Sequence, residues 1–370
     1  MKVAVLGAGG TIAPAIVRDL ALSDEVEGLV LVDLDESRAE QVASLHGGVK
    51  ARAVVADARS TPGEPSSLEH VLDDCDVLVN SASYRVNLDA MAACLRTGCH
   101  YLDLGGLYWM TDLQLELARQ FERDGLLALL GIGSAPGKTN LMAAAAAAEL
   151  GNGGIDSIGV AAAGRDLDPP PGFSVPYALR TLLDELTLRP VVLRDGEPEE
   201  VDPLTVGGEI DFGEPIGPAA TIYTLHSELR TFGESFGCRE ASFRLSLSGE
   251  LLEALRGLLD ASETEVRRAA ESASPPSART VSVHLVEASG GGRRVRVRAV
   301  TEPMERWGFG GGVMSTAAPA AAAVRLLARG EITRRGVLPA EGCVDPQTMF
   351  AELVARGCRV EIVTPEEVRA

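Results

Sequence analysis

The 370-residue sequence is poor in residues that build metal sites, disulfide frameworks and contacts with polyanions. Its six cysteines include no CxxC pair and its five histidines include no pair four residues apart, so we expect no metal site. Lysine occurs only three times, and a formal charge of −19 disfavours nucleic acid and anionic membranes as partners. The N-terminal run MKVAVLGAGG is too short for a membrane span and lacks a signal-peptide cleavage pattern. We therefore expect a cytoplasmic protein with a small-molecule substrate.

The first 140 residues alternate short apolar runs with helical patterns. This alternation predicts an α/β fold with a doubly wound parallel sheet, and strands that are apolar throughout are typical of a sheet covered on both faces. The candidate strands are Lys2–Leu6, Gly28–Val32, Ala51–Val55, Val77–Asn80, His100–Asp103 and Leu126–Leu130. The candidate helices are Ile12–Ala21, Glu36–Leu45, Leu68–Asp73, Leu88–Arg96 and Met110–Asp124.

The pattern changes after residue 140. Residues 155–163 and 189–194 are candidate strands, and Val281–Val286 with Arg293–Val300 predict a hairpin around three glycines. The second arm, RRVRVRAV, alternates strictly and is therefore expected to be half exposed. A last helix is expected at Thr316–Arg329, followed by a strand at Arg359–Val363.

A glycine-rich turn joins the first strand to the first helix, where a dinucleotide-binding fingerprint belongs. Gly7 permits the tight turn, and Gly9 lets the backbone approach a pyrophosphate. The helix that begins near Gly10, with Thr11 and Ile12 in its first turn, presents N–H groups and its positive dipole end to the phosphates. The third fingerprint position holds Ile12 rather than glycine or alanine, which weakens the match.

The second strand supplies the context that a lone glycine turn lacks. LVLVDLD places Asp33 at the end of that strand, 26 residues after Gly7, where a carboxylate can accept hydrogen bonds from ribose hydroxyls. The same charge repels a 2′-phosphate, so NAD is favoured as the cofactor. NADP stays possible, because Arg38 lies one helical turn further on.

Polar residues also follow the next three strands. In open parallel sheets ligands bind outside the carboxyl ends of the strands, which assigns these residues to the cofactor site. Asp57 is placed near the adenine, Asn80 with Ser81 and Ala82 near the nicotinamide ribose, and Asp103 near the reacting ring. The alternative for each is that it caps the helix that follows.

Several longer segments resemble one known family. VLVNSASYRVN, HYLDLGG, GIGSAPGKTN and YTLHSELRTF resemble segments of the saccharopine dehydrogenase and L-lysine 6-dehydrogenase family, and RWGFGGG with the run that follows it resembles the family's closing segment. The resemblance implies a Rossmann domain, residues 1–140 and 315–370, interrupted by an α/β (α+β) substrate and dimerisation domain, residues 141–314. It also implies a homodimer and the oxidation of a C–N bond in an amino acid or polyamine.

The resemblance carries expectations for individual residues. It implies that Tyr84 and Asp103 line the cleft beside the nicotinamide, and that His226 and Glu228 of the second domain face the same cleft. It places the APGKTN segment there too, with one cofactor-binding residue and three substrate-binding residues: Gly137, Lys138, Thr139 and Asn140.

Amine oxidation itself needs a base, because a protonated ammonium cannot release hydride. His226 is the candidate, since an unperturbed imidazole titrates near neutral pH, although a lone histidine is more often structural. Glu228 would share its face if both lay on a strand, and the alternative is a surface turn. Tyr84 and Asp103 are alternative proton carriers. Lys138 can bind a substrate carboxylate or simply be solvated.

The pocket and the substrate are less well defined by the sequence. The loop that carries Tyr177 is assigned to the substrate pocket. The favoured substrate is L-lysine or a saccharopine-type adduct, and the alternative within the class is a carboxynorspermidine-type polyamine. From another class, the alternative is a non-catalytic NAD-binding redox sensor or assembly module.

Overall fold

The chain divides into two compact units. The computed structural model describes residues 1–59, 66–151, 154–259 and 261–367. The first unit comprises Met1–Lys138 and Thr316–Glu352, and the second comprises Thr139–Ser315 and the chain from Leu353 onward. The unit boundary differs from the predicted domain 315–370, because the end of the chain joins the second unit rather than the first.

The first unit is built on a seven-stranded parallel sheet. Its strands are β1 (Lys2–Leu6), β2 (Gly28–Asp33), β3 (Ala51–Val55), β4 (Val77–Asn80), β5 (His100–Asp103), β6 (Leu127–Leu130) and β15 (Gly336–Pro339). Their order is β15-β6-β5-β4-β1-β2-β3, so the winding reverses between β1 and β4. The predicted doubly wound Rossmann sheet is confirmed, and the reversal is the place where such sheets bind dinucleotides.

Helices follow the strands of this sheet. They are α1 (Ala13–Ala21), α2 (Glu36–Val42), α3 (Ser67–Leu72), α4 (Asn87–Thr97), α5 (Leu107–Leu115), α6 (Ala118–Arg123), α12 (Gly311–Ala328), α13 (Ala340–Cys343) and α14 (Pro346–Val354). Helix α7 (Lys138–Leu150) begins at the last residue of Met1–Lys138 and belongs to the second unit. The single helix predicted over Met110–Asp124 is wrong, because α5 and α6 are separate. Apolar residues at Leu113, Leu117 and Phe121 keep helical spacing across the break, so periodicity alone cannot locate it.

One ion-pair network holds the ends of this unit together. Arg325 on α12 donates from Nη1 to Asp19 of α1 at 3.0 Å and from Nε to Glu352 of α14 at 2.8 Å. Arg325 is 3% exposed and Asp19 1%, so the charges satisfy one another away from solvent. The ion pair fixes α12 against the helix that follows the glycine turn.

The second unit contains a mixed sheet. Seven strands follow the order β10-β11-β12-β7-β13-β14-β16, and β8 and β9 are attached through β12. The strands are β7 (Ser157–Asp166), β8 (Val191–Arg194), β9 (Glu197–Glu200), β10 (Val206–Asp211), β11 (Pro218–Tyr223), β12 (Glu240–Ser246), β13 (Thr280–Gly290), β14 (Arg293–Thr301) and β16 (Cys358–Glu367). The helices are α8 (Leu179–Thr187), α9 (Glu228–Phe236), α10 (Gly249–Arg256) and α11 (Glu263–Ser272).

The predicted glycine hairpin is confirmed, and its second strand pairs with the last strand of the chain. Gly291 and Gly292 form its two-residue turn with φ of +58° and +73°, the backbone that a type I′ turn requires. β14 is alternately buried and exposed, as expected. Its outer edge pairs antiparallel with β16, and this pairing is the physical reason that the chain end belongs to the second unit.

Helix α12 is long and apolar enough to cross a membrane by length and composition. However, 83% of its most apolar stretch is buried, as in a core helix, and within the described residues it alone meets that test.

Candidate cofactor and active-site residues

The glycine turn is shaped by close contact with neighbouring backbone. The N–H groups of Gly7 and Ala8 both donate to the carbonyl of Val32, at 2.8 and 3.1 Å. Gly7 has φ +76°, and a Cβ there would lie 2.7 Å from the Cα of Ala82. Only glycine therefore fits at this position, and Ala82, the second residue after β4, is what excludes a side chain.

Asp33 closes the same turn from the end of β2. Its Oδ2 accepts a hydrogen bond from Gly9 N–H at 2.8 Å, and its Oδ1 accepts from Asp35 N–H at 3.0 Å. A Cβ on Gly9 would lie 2.7 Å from Arg38 Cβ and 3.2 Å from Asp33 Oδ2. The half-buried carboxylate thus sits directly beside the backbone that would approach a dinucleotide.

The first turn of α1 tolerates the departure from the fingerprint. Gly10 N–H donates to Gly7 O at 3.0 Å and completes the turn. Ile12 is the N-cap residue, half-buried, and α1 begins only at Ala13. Thr11 is exposed. A bare glycine turn, an open helix N-terminus and a strand-end carboxylate fit a dinucleotide.

The residues after β4 hold the turn from the other side. Asn80 is 1% exposed, donates to Asn87 Oδ1 at 2.9 Å and accepts from Ala82 N–H at 3.1 Å. Ser81 Oγ donates to Leu6 O at 2.7 Å, which ties the end of β4 to that of β1. Asn80 therefore orders the loop from within.

Asp103 is the hub of a buried polar network. Its Oδ1 accepts from the N–H groups of Gly105 and Gly131, at 3.0 and 2.7 Å. Its Oδ2 accepts from Gln114 at 2.7 Å, Tyr101 at 2.9 Å and Asn87 at 3.3 Å. The side chain is 1% exposed, and burial raises the pKa of Asp103 although the hydrogen bonds oppose the rise. All of its acceptor capacity is used inside the fold.

The GIGSAPG segment after β6 folds back on itself. Gly133 N–H donates to Pro136 O and Lys138 N–H donates to Gly133 O, both at 2.9 Å. Gly137 has φ +113°, and a Cβ there would lie 2.5 Å from Gly133 N. Lys138, Thr139 and Asn140, which begin α7, are at most 3% exposed. A solvated Lys138 is therefore excluded.

Two residues singled out from the sequence have local partners instead. Asp57 pairs with Arg59 at 2.8 Å, and the hydrogen bond from Arg59 lowers the pKa of Asp57. Tyr84, half-buried in a short turn before α4, packs its ring 4.7 Å from the Arg85 guanidinium. Within the described residues, the hydrogen bonds of Asp57 join it to Arg59 and Ser67 and not to the glycine turn.

In the second unit, three titratable side chains converge into what we call the acid–histidine cluster: Glu185, His226 and Glu228. His226 Nδ1 is 3.5 Å from Glu228 Oε2, and His226 Nε2 is 3.8 Å from Glu185 Oε2. The imidazole stacks on Phe243, with ring centroids 3.4 Å apart and planes at 18°. The side chains of His226 and Glu228 lie neither on one strand nor in an exposed turn, because Glu228 begins α9 and both are buried. The helix start still brings the two side chains together.

Two hydroxyl groups complete the surroundings of the cluster. Tyr177 donates to Glu185 Oε2 at 2.5 Å, and Thr139 donates to Glu228 Oε1 at 2.9 Å. Each hydroxyl thus orients a carboxylate, and direct substrate binding by Thr139 and Tyr177 stays a prediction.

The cluster is deeply buried yet incompletely paired. Glu228 is 1% exposed, Glu185 5% and His226 7%. Within the described residues, four buried polar atoms of one short segment have no hydrogen-bond partner: Thr224 Oγ1, His226 Nε2, Ser227 Oγ and Glu228 Oε2. Buried polar atoms are normally paired, so this segment has capacity for a polar ligand.

Burial and mutual charge shift the titration of the cluster. Burial opposes the charged imidazole, but the carboxylate of Glu228 close to Nδ1, with the charge of Glu185, raises the pKa of His226 above its usual value. Burial raises the pKa of Glu185, against the opposing effects of His226 and Tyr177. Burial and the neighbouring carboxylate raise the pKa of Tyr177 well above its usual value.

Sequence reasoning missed Glu185, Asn87 and Gln114. Asp184 and Glu185 interrupt an apolar helical repeat in LRTLLDELT, a signal that a charge is buried. Asn87 and Gln114 carry no signal of their own. Within the described ranges, no group of three or more histidine, cysteine or acidic residues has the arrangement to hold a metal ion.

Comparison with known proteins agrees with this architecture. Residues 3–129 match the family model for the saccharopine dehydrogenase NADP binding domain. A carboxyaminopropylagmatine dehydrogenase from Synechocystis sp. is 26% identical over 270 residues, which span 70% of this chain and 65% of that protein. Apo saccharopine dehydrogenase (L-Glu forming) from Saccharomyces cerevisiae superimposes with a TM-score of 0.70 at 15% identity, covering 98% of this chain and 100% of that one.

These matches confirm the resemblance to saccharopine dehydrogenases that the sequence segments indicated. They confirm the fold and NAD(P) as the cofactor class. The expected homodimer and the cytoplasmic location stay predictions.

Proposed function

We propose that this chain is an NAD(P)-dependent dehydrogenase that oxidises a C–N bond of a small amine, either an amino acid or a polyamine. The observation that carries the proposal is the acid–histidine cluster, with His226 Nε2 and Glu228 Oε2 buried and without a hydrogen-bond partner among the described residues. The first unit supplies the glycine turn and Asp33 for the dinucleotide.

The charge of the cluster favours a cationic substrate. Glu185 and Glu228 place two carboxylates beside one imidazole in surroundings that are nearly free of solvent. Buried carboxylates are costly unless they are paired, and a substrate ammonium would offset that cost with charge-assisted hydrogen bonds. Ser227 and Thr224 add hydroxyls that can accept from or donate to the same ligand.

The position of Glu228 assigns the proton on the imidazole. Once His226 is neutral, with Nδ1–H directed at Glu228, the lone pair lies on Nε2, and Nε2 takes the proton from the substrate ammonium. The neutral amine then loses the hydrogen on its carbon with the bonding electron pair, which leaves an iminium. The bound nicotinamide supplies the acceptor for that hydride. Water can hydrolyse the iminium to a carbonyl compound and a free amine.

Asp103 takes a different part from the one expected of a proton carrier. Five hydrogen bonds hold its two oxygens, and two of them fix the backbone after β5 and β6. We assign it to positioning these loops. Tyr84 and Lys138 are kept as candidates for substrate contact.

Within this class, a polyamine-type substrate is favoured by the Synechocystis relative, whose name joins a carboxyaminopropyl group to agmatine. Such a molecule carries both a cationic and an anionic group. L-Lysine and saccharopine-type adducts offer the same amine chemistry, so they belong in the same assay.

The test replaces His226 by Gln and follows reduced nicotinamide during oxidation of the amines. His226→Gln should lower kcat/KM by about 10²–10⁴-fold, the usual contribution of a general base, and leave NADH affinity unchanged. His70→Gln, an exposed histidine of the first unit, is the matched control and should keep wild-type activity. A His226→Gln protein that turns over as fast as wild type contradicts the assignment. Tight NADH binding without turnover of any amine would instead favour a non-catalytic module.

A further inference from the structure

The acid–histidine cluster contains a carboxylate to which the proposed proton transfer assigns no step, Glu185. Glu185 comes from α8 and faces Nε2 of His226 at 3.8 Å, whereas Glu228 comes from α9 and faces Nδ1 at 3.5 Å. The imidazole therefore has a carboxylate at each ring nitrogen, and the two carboxylates are supplied by different helices.

Neighbouring side chains fix this arrangement. Stacking on Phe243 holds the plane of the imidazole, so the ring cannot tilt out of that plane without losing the contact. The Tyr177 hydroxyl donates at 2.5 Å to the same oxygen of Glu185 that faces His226. The same oxygen of Glu185 thus lies close to both the Tyr177 hydroxyl and the imidazole.

We propose that Glu185, held by Tyr177, is a positioning residue that keeps a proton on His226 in the free protein and so sets the pH at which the imidazole becomes a base. The inference rests on the proposed function for the role of His226 as the base. The coupling between the two side chains does not depend on turnover.

The charges around the imidazole account for this behaviour. With His226 neutral and both glutamates ionised, the cluster would carry two buried negative charges, and one added proton removes half of that charge. Tyr177 faces the cluster as a neutral donor, and Phe243 from β12 contributes no charge. Asp184, next to Glu185, is paired with Arg180 at 3.3 Å.

The expected signs follow from these contacts. The charges of Glu185 and Glu228 both raise the pKa of His226, so removing either charge lowers it. The Tyr177 hydroxyl favours the ionised form of Glu185, so removing that hydroxyl raises the pKa of Glu185 and reduces its negative charge. The pKa of His226 therefore also falls in Tyr177→Phe, by less than when the charge of Glu185 is removed.

The direct test is an NMR titration of the full chain with isotope-labelled histidine. Five histidines give five signals, and His226→Gln identifies the one that matters. Glu185→Gln should lower the pKa of His226 by about one unit or more, as expected for loss of an opposite charge about 4 Å away. Tyr177→Phe should lower it by less. Glu209→Gln, which removes an exposed charge of the same unit, should leave it unchanged.

Activity gives a second readout. In Glu185→Gln the acidic limb of the kcat/KM profile should move to lower pH with NADH affinity unchanged, since a merely structural role would lower activity without moving that limb. An unchanged pKa of His226 in folded Glu185→Gln overturns the inference. If that variant does not fold, an unchanged pKa in Tyr177→Phe overturns it.

The two proposals fail in different ways. A His226 pKa that falls in Glu185→Gln, in a protein that oxidises no amine, supports the coupling and contradicts the proposed function. If the protein oxidises an amine but the pKa of His226 is unchanged in Glu185→Gln, the proposed function is supported and the coupling is contradicted.

Discussion

Replacing Asp33 by Asn isolates the charge that the structure places beside the glycine turn. The amide oxygen of Asn can still accept the hydrogen bond from Gly9 N–H that Asp33 Oδ2 accepts at 2.8 Å. The variant therefore keeps the turn while it removes the negative charge. Asp33→Ala removes both, and the difference between the two variants measures what the turn contributes.

The magnitude follows from the bonds that a carboxylate makes to a ribose. A hydrogen bond to a charged group contributes about 1.5–3 kcal/mol, and the neutral amide in the variant Asp33→Asn retains part of that free energy. A net loss of about 1.4–2.7 kcal/mol is a rise of about 10- to 100-fold in KM for NAD. Removing the charge also removes repulsion of a 2′-phosphate, so kcat/KM with NADP should rise. The ratio of kcat/KM with NAD to kcat/KM with NADP should therefore change by a larger factor than kcat/KM with either cofactor alone.

The assay compares NAD and NADP titrations of wild type, Asp33→Asn and Asp35→Asn. Asp35 is the matched control, because it is exposed, lies two residues further on and removes the same formal charge. An Asp33→Asn protein with the cofactor preference of wild type would refute the placement of the ribose beside β2. A shift of equal size in Asp35→Asn would show that overall charge, and not this contact, sets the preference.

Substitutions at three further positions, with Gly98→Ala as a control, test the framework of the first unit by denaturant unfolding. Arg325→Met should cost about 3–5 kcal/mol because it deprives buried Asp19 of its ion pair, and an unchanged unfolding midpoint would contradict that pairing. Asp103→Ala should cost about 2–6 kcal/mol, since two buried N–H donors lose their acceptor, and Asp103→Asn should cost less. Gly137→Ala should impair folding or NADH binding through its clash, whereas Gly98→Ala, with φ +75° and nothing within 4 Å, should cost only about 1 kcal/mol. Equal costs for the two glycine variants would show that backbone strain alone acts at Gly137.

The first unit was predictable because its signals are local. The apolar runs that become β1, β2, β4 and β5 are short, continuous and separated by helical repeats, so their type and bounds follow from periodicity. Asp33 is found in the same way, as a carboxylate that directly follows a buried strand. The contact of Gly7 with Ala82 joins residues far apart in sequence, and no local sequence pattern predicts it.

The candidate site of the second unit was only half predictable. His226 and Glu228 lie two residues apart, so the sequence predicts that their side chains share a face if the segment is a strand. In the structure the chain begins a helix at Glu228, and the helix start brings the two side chains together. Glu185 completes the cluster from another helix, and that contact depends on how α8 and α9 pack within the unit. Side-chain pairing across elements is set by tertiary packing and leaves little trace in local sequence.

The role of Asp103 could not be predicted from the sequence either. A carboxylate at a strand end is compatible with catalysis and with loop support, and the sequence cannot distinguish them. The five hydrogen bonds it accepts come from Asn87, Tyr101, Gly105, Gln114 and Gly131, which are spread over 45 positions.

The central claim is that the chain oxidises an amine with a nicotinamide cofactor. The most direct measurement follows the absorbance of reduced nicotinamide with NAD and NADP over a panel of L-lysine, saccharopine-type adducts and carboxyalkylated polyamines. The account predicts turnover of at least one amine and its loss in His226→Gln, with NADH affinity retained. Absence of turnover across the whole panel, in a protein that still binds NADH, would contradict it.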